Sequence, residues 1–348
     1  MLLLGTATLA FAFLTAQQRR NVERAATQNA ARMSTTVAVQ GHTQPERTPP
    51  PGHEADVPRE VEVGIYLNRI SEFSILDSSW KADFYIWFRW SGEGIDPGET
   101  FKMATGELLN RELLKKSDAG DRHYALYRAS AQISKKFDIS RFPRDEHQLL
   151  ITIEDRALES YQLVYKTEPS ESDVSSRADV PGYDIVSLKT NVKPHSYKRP
   201  MGDPDLPRDF KATYSQFITG IVIARPTWGL FVKMFVALFI AMLLAVGGLF
   251  LTSPSERLAL GGTAIFVAIM NAEANASLVP ATGMATLGDV IDSIGYIAMG
   301  VVIVQSIVYH RLVRDGEPGP VCLVFDRVSI VLIPLLYVAL NAGVLFAA

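Results

Sequence analysis

Residues 227–251, TWGLFVKMFVALFIAMLLAVGGLFL, decide the class of protein to which this chain belongs. They contain a single charged residue, Lys233, in an otherwise apolar run. A helix of about 20 apolar residues crosses the hydrocarbon core of a bilayer, so we interpret this segment as a membrane-spanning helix. Lys233 then either extends its amine to the membrane surface or pairs with a buried acid.

Three further segments downstream have the same apolar character. Each is close to the length that a membrane-spanning helix needs, and short connections separate them. The sequence therefore predicts a transmembrane domain of four spans at 226–348. The three further spans are expected at about 258–279, 291–309 and 328–348.

The basic residues of the connections predict the topology. The connection at 310–327 contains three arginines, whereas the connection at 280–289 contains neither Lys nor Arg. Because Lys and Arg accumulate in cytoplasmic loops, we expect residues 310–327 to be cytoplasmic. Residues 60–225 and the C-terminus then lie outside the cytoplasm, in a multi-pass protein of the cell (inner) membrane.

Residues 60–225 have a different pattern, with charges every few positions. In 61–68 and 82–90, apolar side chains occupy alternate positions. A period of two is typical of half-buried strands, and clusters of Pro, Gly, Asp and Ser separate such runs. We expect an extracytoplasmic antiparallel β-sandwich, in which 107–116 is the one locally helical segment.

The beginning of the chain predicts export rather than a folded domain. Residues 1–16 form an apolar run that is short for a membrane span, which is typical of a signal peptide and also fits a short uncleaved anchor. Residues 17–59 are polar and contain a Pro cluster, so we expect a disordered linker.

Composition and motifs argue against several functions. The net charge of −3, without a basic cluster, does not suit nucleic acid. Cys322 is the single cysteine, and no Cys/His set has the spacing of a metal site, so we expect no metal and no cofactor. Neither a Gly-x-Ser-x-Gly elbow nor an inverted repeat is present, so we expect no catalytic residues, no enzyme and no transporter.

Several short motifs follow one another in a recognisable order. They begin with VGIYL at 63–67 and the Trp-rich run WKADFYIWFRW at 80–90. Further motifs are FDISRFPRDEHQ at 137–148, Arg225-Pro226, SERL at 255–258 and VPAT at 279–282. In this order and spacing, residues 61–348 resemble a subunit of the prokaryotic pentameric ligand-gated ion channels of the Cys-loop receptor superfamily.

The resemblance implies an assembly and a function. The chain would form a homopentamer in a lipid bilayer, conduct inorganic ions along its second span, and open in response to a small ligand or protons. The segment 137–148 corresponds to the loop that a disulfide closes in animal receptors, and here it lacks both cysteines. The residues expected to couple the two domains are Phe142, Pro143, Asp145 and Arg225.

The pore prediction combines this resemblance with helical spacing. Steps of three and four residues from Glu256 trace a stripe along the second span. The stripe runs through Leu260, Thr263 (or Ala264), Val267, Met270 (or Asn271), Ala274 and Ser277.

Charged side chains of this span suggest how ions are selected. Five copies of Glu256 would form a ring that attracts cations, and Leu260 with Val267 would form an apolar gate. Glu256 equally suits a helix N-terminus that Ser255 caps. Glu273 lies off the stripe, and we expect it to act in gating or pH sensing, because an ionisable group in a span is costly.

The resemblance also suggests where a ligand binds. Glu154, Asp155 and Arg156 follow a strand at the place where the family has part of its ligand pocket, with Tyr183 or Tyr214 nearby. Such a pocket is polar and acidic, which favours a cationic ligand or protons, and a solvated salt-bridged loop is the alternative. The usual Trp-x-Pro segment is missing, since 91–122 contains no Trp. A non-conducting receptor or sensor of the same fold is therefore the alternative function.

Overall fold

The computed structural model describes residues 56–197, 210–225, 228–281, 283–314 and 317–347, with isolated residues between 16 and 53. The predicted signal peptide, 1–16, and most of the predicted linker, 17–59, lie outside the described residues, so both stay predictions. Two compact units make up the chain. We call them the sheet unit, Ala26–Phe137 with Glu146–Pro226, and the helical unit, which includes Asp138–Asp145 and Thr227–Ala348.

The sheet unit contains two sheets. The first has the strand order β4-β5-β2-β1-β7, with β8 also pairing with β1, and the second has the order β3-β6-β10-β9. These strands are β1 (Arg59–Ser74), β2 (Ser79–Ser91), β3 (Phe101–Met103), β4 (Glu107–Ala119), β5 (Arg122–Ser134), β6 (Glu146–Asp155), β7 (Leu163–Thr167), β8 (Asp173–Val174), β9 (Asp184–Ser196) and β10 (Thr213–Ala224).

Neighbouring strands are antiparallel except where β7 and β8 pair with β1 in parallel. The core follows the alternation that the sequence shows, because every second side chain of a strand points to the same face. On β2, Trp80, Phe84 and Phe88 are fully buried. The Phe88 ring lies 5.4 Å from the ring of Phe101 on β3, so the core joins the two sheets.

We predicted that 107–116 is helical, and this prediction is wrong. It forms β4, which pairs with β5 from Glu107↔Gln132 to Ala119↔Arg122. Its Leu, Glu, Lys and Arg residues have high helix propensity, but cross-strand pairing outweighs a propensity of a few tenths of a kcal/mol per residue, roughly. Gly120, with φ at +63°, supplies the tight turn between the two strands.

Four long helices follow, in addition to the short α1 (Pro97–Thr100) of the sheet unit. All four are long and apolar enough to cross a membrane, which supports a multi-pass membrane protein. The predicted fold class, a β-sandwich domain followed by four spans, is confirmed in outline. The helices are α2 (Gly229–Gly248), α3 (Pro254–Ala276), α4 (Leu287–Leu312) and α5 (Pro320–Ala347), and two short strands, β11 (Val313–Arg314) and β12 (Glu317–Pro318), separate α4 from α5.

Three helices begin earlier than predicted, and two of them begin at a proline. Helix α4 begins at Leu287, before the predicted 291–309. Helix α3 begins at Pro254, before the predicted 258–279, and α5 begins at Pro320, before the predicted 328–348. Proline is favoured in the first turn of a helix, because its missing N–H would have no intrahelical partner there. Both starts thus bring charged residues, including Arg257 and Asp326, into helices.

We expect Gly64→Ala to destabilise the sheet unit. Gly64 on β1 pairs with Trp87 on β2, and a Cβ at Gly64 would lie 2.6 Å from Nε1 of the Trp87 ring. The ring must then move and give up its hydrogen bond to Glu168, at a cost of about 1–3 kcal/mol as for other overpacked sites. Thermal unfolding of the purified protein measures the loss.

The matched control is Gly262→Ala in α3, where an added Cβ meets nothing within 4 Å. Alanine is a better helix former than glycine by about 1 kcal/mol, so this variant should be at least as stable as the wild type. Equal melting temperatures for Gly64→Ala and the wild type would contradict the close packing of Trp87 on Gly64.

Candidate functional site

Helix α3 turns a narrow face of small residues toward the other helices of its unit. Gly261, Ala264 and Ala268 are buried on this face, with Arg257 near its N-terminal end. A Cβ at Gly261 would lie 2.9 Å from Cγ1 of Ile303 on α4, so the two helices approach closely there. Small residues thus fix which side of α3 faces its own bundle.

The opposite side of α3 is exposed in the single chain. Alternating steps of four and three residues from Ala259 follow this side, as expected for one face of a helix. We call it the open face of α3, and its residues, all exposed, are Ala259, Thr263, Phe266, Met270, Glu273 and Ser277.

The predicted pore stripe overlaps the open face in part. Thr263, Met270 and Ser277 belong to both, whereas Ala264 is buried and Asn271 is half-buried, which decides between the sequence alternatives. Glu273, placed off the stripe from the sequence, belongs to the open face.

The other stripe residues lie beside the open face. Leu260 and Val267 are half-buried at its edge, and Glu256 and Ala274 are exposed next to it. A helix turns about 100° per residue, so a stripe centred on Glu256 is rotated from the face that points away from the bundle. The rotation depends on where α2 and α4 pack, and they pack on the side of the small residues Gly261, Ala264 and Ala268.

The exposed sides of α2 and α5 have a different chemistry. Both are mainly aliphatic, which suits the acyl chains of a bilayer. Their exposed charged residues, Lys233 of α2 and Arg327 of α5, lie within the first eight residues of each helix, where a long side chain can extend to the membrane surface. The open face of α3 instead presents the carboxylate of Glu273, which acyl chains do not solvate. The hydroxyls of Thr263 and Ser277 on this face donate to backbone carbonyls of the helix. The large exposed residues of α2 include Val232, Val236, Ile240 and Leu243, and those of α5 include Val321, Val324, Val328, Val331 and Leu335.

A buried ion pair joins the start of α3 to α5. The side chain of Arg257 is 3% exposed, and it donates to both carboxylate oxygens of Asp326 at 2.6 and 3.0 Å. Arg257 also donates to the carbonyl of Leu251 at 2.6 Å and lies over the Tyr309 ring of α4 at 3.7 Å. Gln305 of α4 donates to Asp326 as well, so three helices meet at one charge pair.

A second polar contact anchors the C-terminal half of α3. The amide groups of Asn271 and Asn275 both donate to the carbonyl of Met234 on α2, at 2.8 and 3.0 Å. These two amides therefore join α3 to α2 within the chain.

The predicted coupling loop lies at the start of α4. The carbonyls of Ser140 and Phe142 accept hydrogen bonds from the backbone N–H groups of Leu287 and Gly288, at 2.9 and 3.2 Å. They thereby satisfy amides at the start of α4, which have no intrahelical acceptor. The Phe142–Pro143 peptide bond is cis, and Phe142 and Asp145 are buried.

Arg225, the fourth predicted coupling residue, contacts Tyr183 within the sheet unit. Its guanidinium lies over the Tyr183 ring at 4.2 Å and donates to the phenol oxygen. The Tyr183 ring also packs edge-on against Phe73 at 5.2 Å. Tyr183, which we predicted for the ligand pocket, is therefore engaged by Arg225 and an aromatic cluster.

Glu154 is the centre of a buried polar cluster. It is fully buried, and its carboxylate accepts from Tyr197 at 2.7 Å and from Gln216 at 2.8 Å. Lys102 lies 3.2 Å from the same carboxylate and 5.5 Å from the centre of the Tyr214 ring. Burial and the Glu154 carboxylate both raise the pKa of Tyr197, which keeps its phenol protonated as the donor. The alternative of a solvated loop does not fit Glu154.

The neighbours of Glu154 have other roles. Asp155 is buried and accepts from the backbone N–H groups of Ala157 and Leu158 at 2.8 and 2.7 Å, so it stabilises a turn. Arg156 is exposed. The structure thus brings Glu154 and Tyr214 together and separates them from Tyr183. The capping segment that the sequence predicts at 198–209 lies outside the described residues.

The first sheet carries an aromatic pocket that the sequence reading missed. Its volume is about 350 Å³, and its walls come from β1, β2, β5 and the segment before β8. Trp87 donates to Glu168 at 2.8 Å, and Arg89 pairs with Glu168 and Glu62. The lining residues are Tyr66, Tyr85, Trp87, Arg89, Tyr124, Leu126 and Glu171.

A signal for this pocket was present in the sequence. Tyr85, Trp87 and Arg89 occupy alternate positions of β2, between the core residues Phe84, Ile86 and Phe88. Large aromatic side chains on the non-core face of a strand indicate a second contact surface. No comparable signal marks Lys102 or Asp326, whose partners lie far away along the chain.

Comparison with protein-family models and with curated protein sequences gives no match to this chain. The resemblance to ligand-gated channels therefore rests on the motifs and on the architecture.

We expect Asp326→Ala to destabilise the helical unit strongly. Removing one member of a buried ion pair leaves the other charge without a counter-ion, which costs about 3–5 kcal/mol. Unfolding of the purified protein in mild detergent, followed by circular dichroism, measures the loss.

The control removes an exposed pair, Lys166–Glu60, whose nitrogen and oxygen are 3.1 Å apart. Glu60→Ala should change stability by less than about 1 kcal/mol. Replacing both members of the buried pair, with Arg257→Met and Asp326→Leu, should recover much of the loss, because no unpaired charge remains. A loss for Asp326→Ala no larger than for Glu60→Ala would refute the role of the pair.

Proposed function

We propose that the chain is a subunit of a cation-conducting, pentameric ligand-gated ion channel, with the open face of α3 lining the pore. The observation that carries the proposal is the chemistry of that face. Glu273 is an exposed carboxylate in the C-terminal half of a membrane helix, whereas the exposed charged residues of α2 and α5, Lys233 and Arg327, lie within the first eight residues of each helix. In a membrane such a face requires water or other protein, and the proposal assigns no catalytic role.

A ring of identical subunits provides both the water and the neighbouring protein that this face requires. Rotational symmetry places the same face of every subunit around one axis, where water can enter. The resemblance supplies the number five. Placing α3 at the axis leaves the aliphatic sides of α5 for the bilayer, in keeping with their composition.

Two acidic rings and one aromatic ring then define the conduction path. Glu256 and Glu273 are 17 positions apart, which is about 25 Å along a helix that rises 1.5 Å per residue. Rings of carboxylates attract cations, and apolar constrictions close a pore by excluding water. Phe266 is the most exposed large side chain of the open face, at 64%, so in this proposal it forms the apolar constriction. From the sequence we assigned that role to Leu260 and Val267.

The agonist site in this proposal lies in the sheet unit. The cluster of Glu154, Tyr197, Tyr214 and Lys102 offers one polar wall, and the aromatic pocket of the first sheet offers another. Aromatic faces together with carboxylates favour a small cationic ligand. Binding between adjacent subunits, as the resemblance implies, would bring such walls together.

The second candidate function, a non-conducting receptor of the same architecture, is favoured by Phe266. Five phenylalanine rings at one level of a narrow pore could fill it. A receptor of this type would pass its signal by movement of the helices without ion flow.

We expect currents from the protein in planar bilayers and a loss of cation preference in Glu256→Ala. The ring of fixed charge at one pore mouth attracts cations, so its removal should shift the reversal potential in a salt gradient toward zero. Glu273→Gln is expected chiefly to move the activation curve. Recordings across a series of pH values and small amines measure both.

A neutral substitution elsewhere in α3, Gly262→Ala, serves as the control and should keep the wild-type reversal potential. If Glu273→Gln alone shifts the reversal potential, the assignment of Glu256 to selectivity is wrong. Absence of current from correctly assembled pentamers, under every condition of the series, would favour the non-conducting receptor.

Cysteine substitution tests the rotation of α3 independently. The native Cys322 is 2% exposed, so the background reaction with a charged thiol reagent should be small. Thr263→Cys on the open face should react with a trimethylammonium-bearing thiosulfonate in the bilayer and reduce the current. Ala264→Cys, one position away and buried, should not react.

Mass spectrometry reports the reaction even if the protein does not conduct. Modification of Ala264→Cys and protection of Thr263→Cys would place the opposite side of α3 in water. That result would overturn the proposed pore face.

A further inference from the structure

A cavity of about 170 Å³ lies within the helical unit, between α2, α3 and the start of α4. We call it the α4 cavity. Its walls include Met234 of α2, Asn275 of α3, and Asp289, Asp292 and Tyr296 of α4. The proposed conduction path does not use it, since Asn275 lies on the side of α3 that packs against α2.

Asp292 is the unusual group of this cavity. Its side chain lines the cavity, the residue is 7% exposed, and its Oδ1 has no hydrogen-bond partner among the described residues. Asp289, one turn earlier, is the only other charged residue in the described lining. Its carboxylate accepts from the backbone N–H of Thr286 at 2.8 Å, in the capping box of α4.

A buried carboxylate without a partner is costly in a membrane helix. It must either be protonated or meet a positive charge. The described lining contains neither Lys nor Arg. From α5, the phenol of Tyr337 lies within electrostatic range of Asp292, and a phenol is not a cation. If Asp292 is ionised, its counter-charge therefore comes from outside the described lining.

Three other polar groups of the wall donate to backbone carbonyls. The Asn275 amide donates to the carbonyl of Met234 at 3.0 Å, and the Ser293 hydroxyl donates to the carbonyl of Asp289 at 2.7 Å. The Tyr296 hydroxyl points to the carbonyl of Ala268 at 3.4 Å. The acceptors that the wall offers include the amide oxygen of Asn275, hydroxyl lone pairs and the carboxylates.

Hydrogen-bond acceptors in the lining favour a ligand that carries hydrogen-bond donors. An ammonium group has three donors and no acceptor, and its charge matches Asp292. The rings of Tyr296 and Phe142 in the lining can contact the carbon atoms or the charge of such a ligand. A volume of about 170 Å³ leaves room for a small organic ion of a few heavy atoms.

We propose that the α4 cavity is a binding site for a small organic ammonium ion, held by Asp292 with Asn275 and Ser293 as further acceptors. The site lies within one chain, so it does not depend on the proposed channel function or on the number of subunits. It is also separate from the aromatic pocket of the sheet unit.

The test measures thermal unfolding of the purified full chain in mild detergent with increasing ethylammonium chloride. Sodium chloride at the same ionic strength is the reference. A ligand that binds the folded state raises the melting temperature with its concentration. We expect a saturating rise with ethylammonium, and the same concentration of sodium chloride should not produce it. In Asp292→Asn, the apparent affinity should fall at least tenfold.

Two further variants identify the site. Ala272→Ile fills the cavity without changing its charge, and it should abolish the ethylammonium effect even if Asp292→Asn does not fold. Glu171→Gln alters the aromatic pocket of the sheet unit and should keep the effect. The proposal is overturned if the wild type shows no rise beyond sodium chloride, if Ala272→Ile responds like the wild type, or if Glu171→Gln alone removes the response.

Discussion

The requirement that polar groups within a membrane find partners governs the helical unit. On the bundle side of α3, each polar side chain meets one: Arg257 pairs with Asp326, and Asn271 with Asn275 donates to the Met234 carbonyl. On the open side, the Thr263 hydroxyl donates to the carbonyl of Ala259 at 2.9 Å, and Glu273 is exposed. Acyl chains do not solvate a carboxylate, so Glu273 needs water or other protein in a membrane. The exposed charged residues of α2 and α5, Lys233 and Arg327, lie within the first eight residues of each helix, where they can extend to the membrane surface.

In the sheet unit, two adjacent buried acidic residues have different partners. Asp155 stabilises a turn through backbone amides, whereas the adjacent Glu154 gathers Tyr197, Gln216 and Lys102 around a fully buried carboxylate. A buried charge with several donors is rigid and specific. It suits a position next to a ligand, and so does the Trp87 pocket on the other sheet.

Local patterns predicted most of the architecture. Alternation in 61–68 and 82–90 gave strands with buried Val63, Ile65 and Phe84, and the apolar runs gave four membrane helices. The pattern failed at 107–116, where helix-forming residues lie in β4 because β5 is available to pair with them. It also placed the starts of α3 and α5 too late, since hydropathy ends where charges begin while a helix continues as long as its backbone bonds are satisfied.

By itself the sequence determined the β-rich and membrane-helical character of the two domains, their order, and the segments that are apolar enough to cross a membrane. These follow from periodicity and hydropathy, which are properties of neighbouring residues. Only the tertiary structure decided which side of α3 is open, that Arg257 meets Asp326 across 69 positions, and that Asp292 lines a cavity without a partner. Helix rotation and long-range pairing depend on how elements pack, and a local pattern carries no information about a partner elsewhere in the chain.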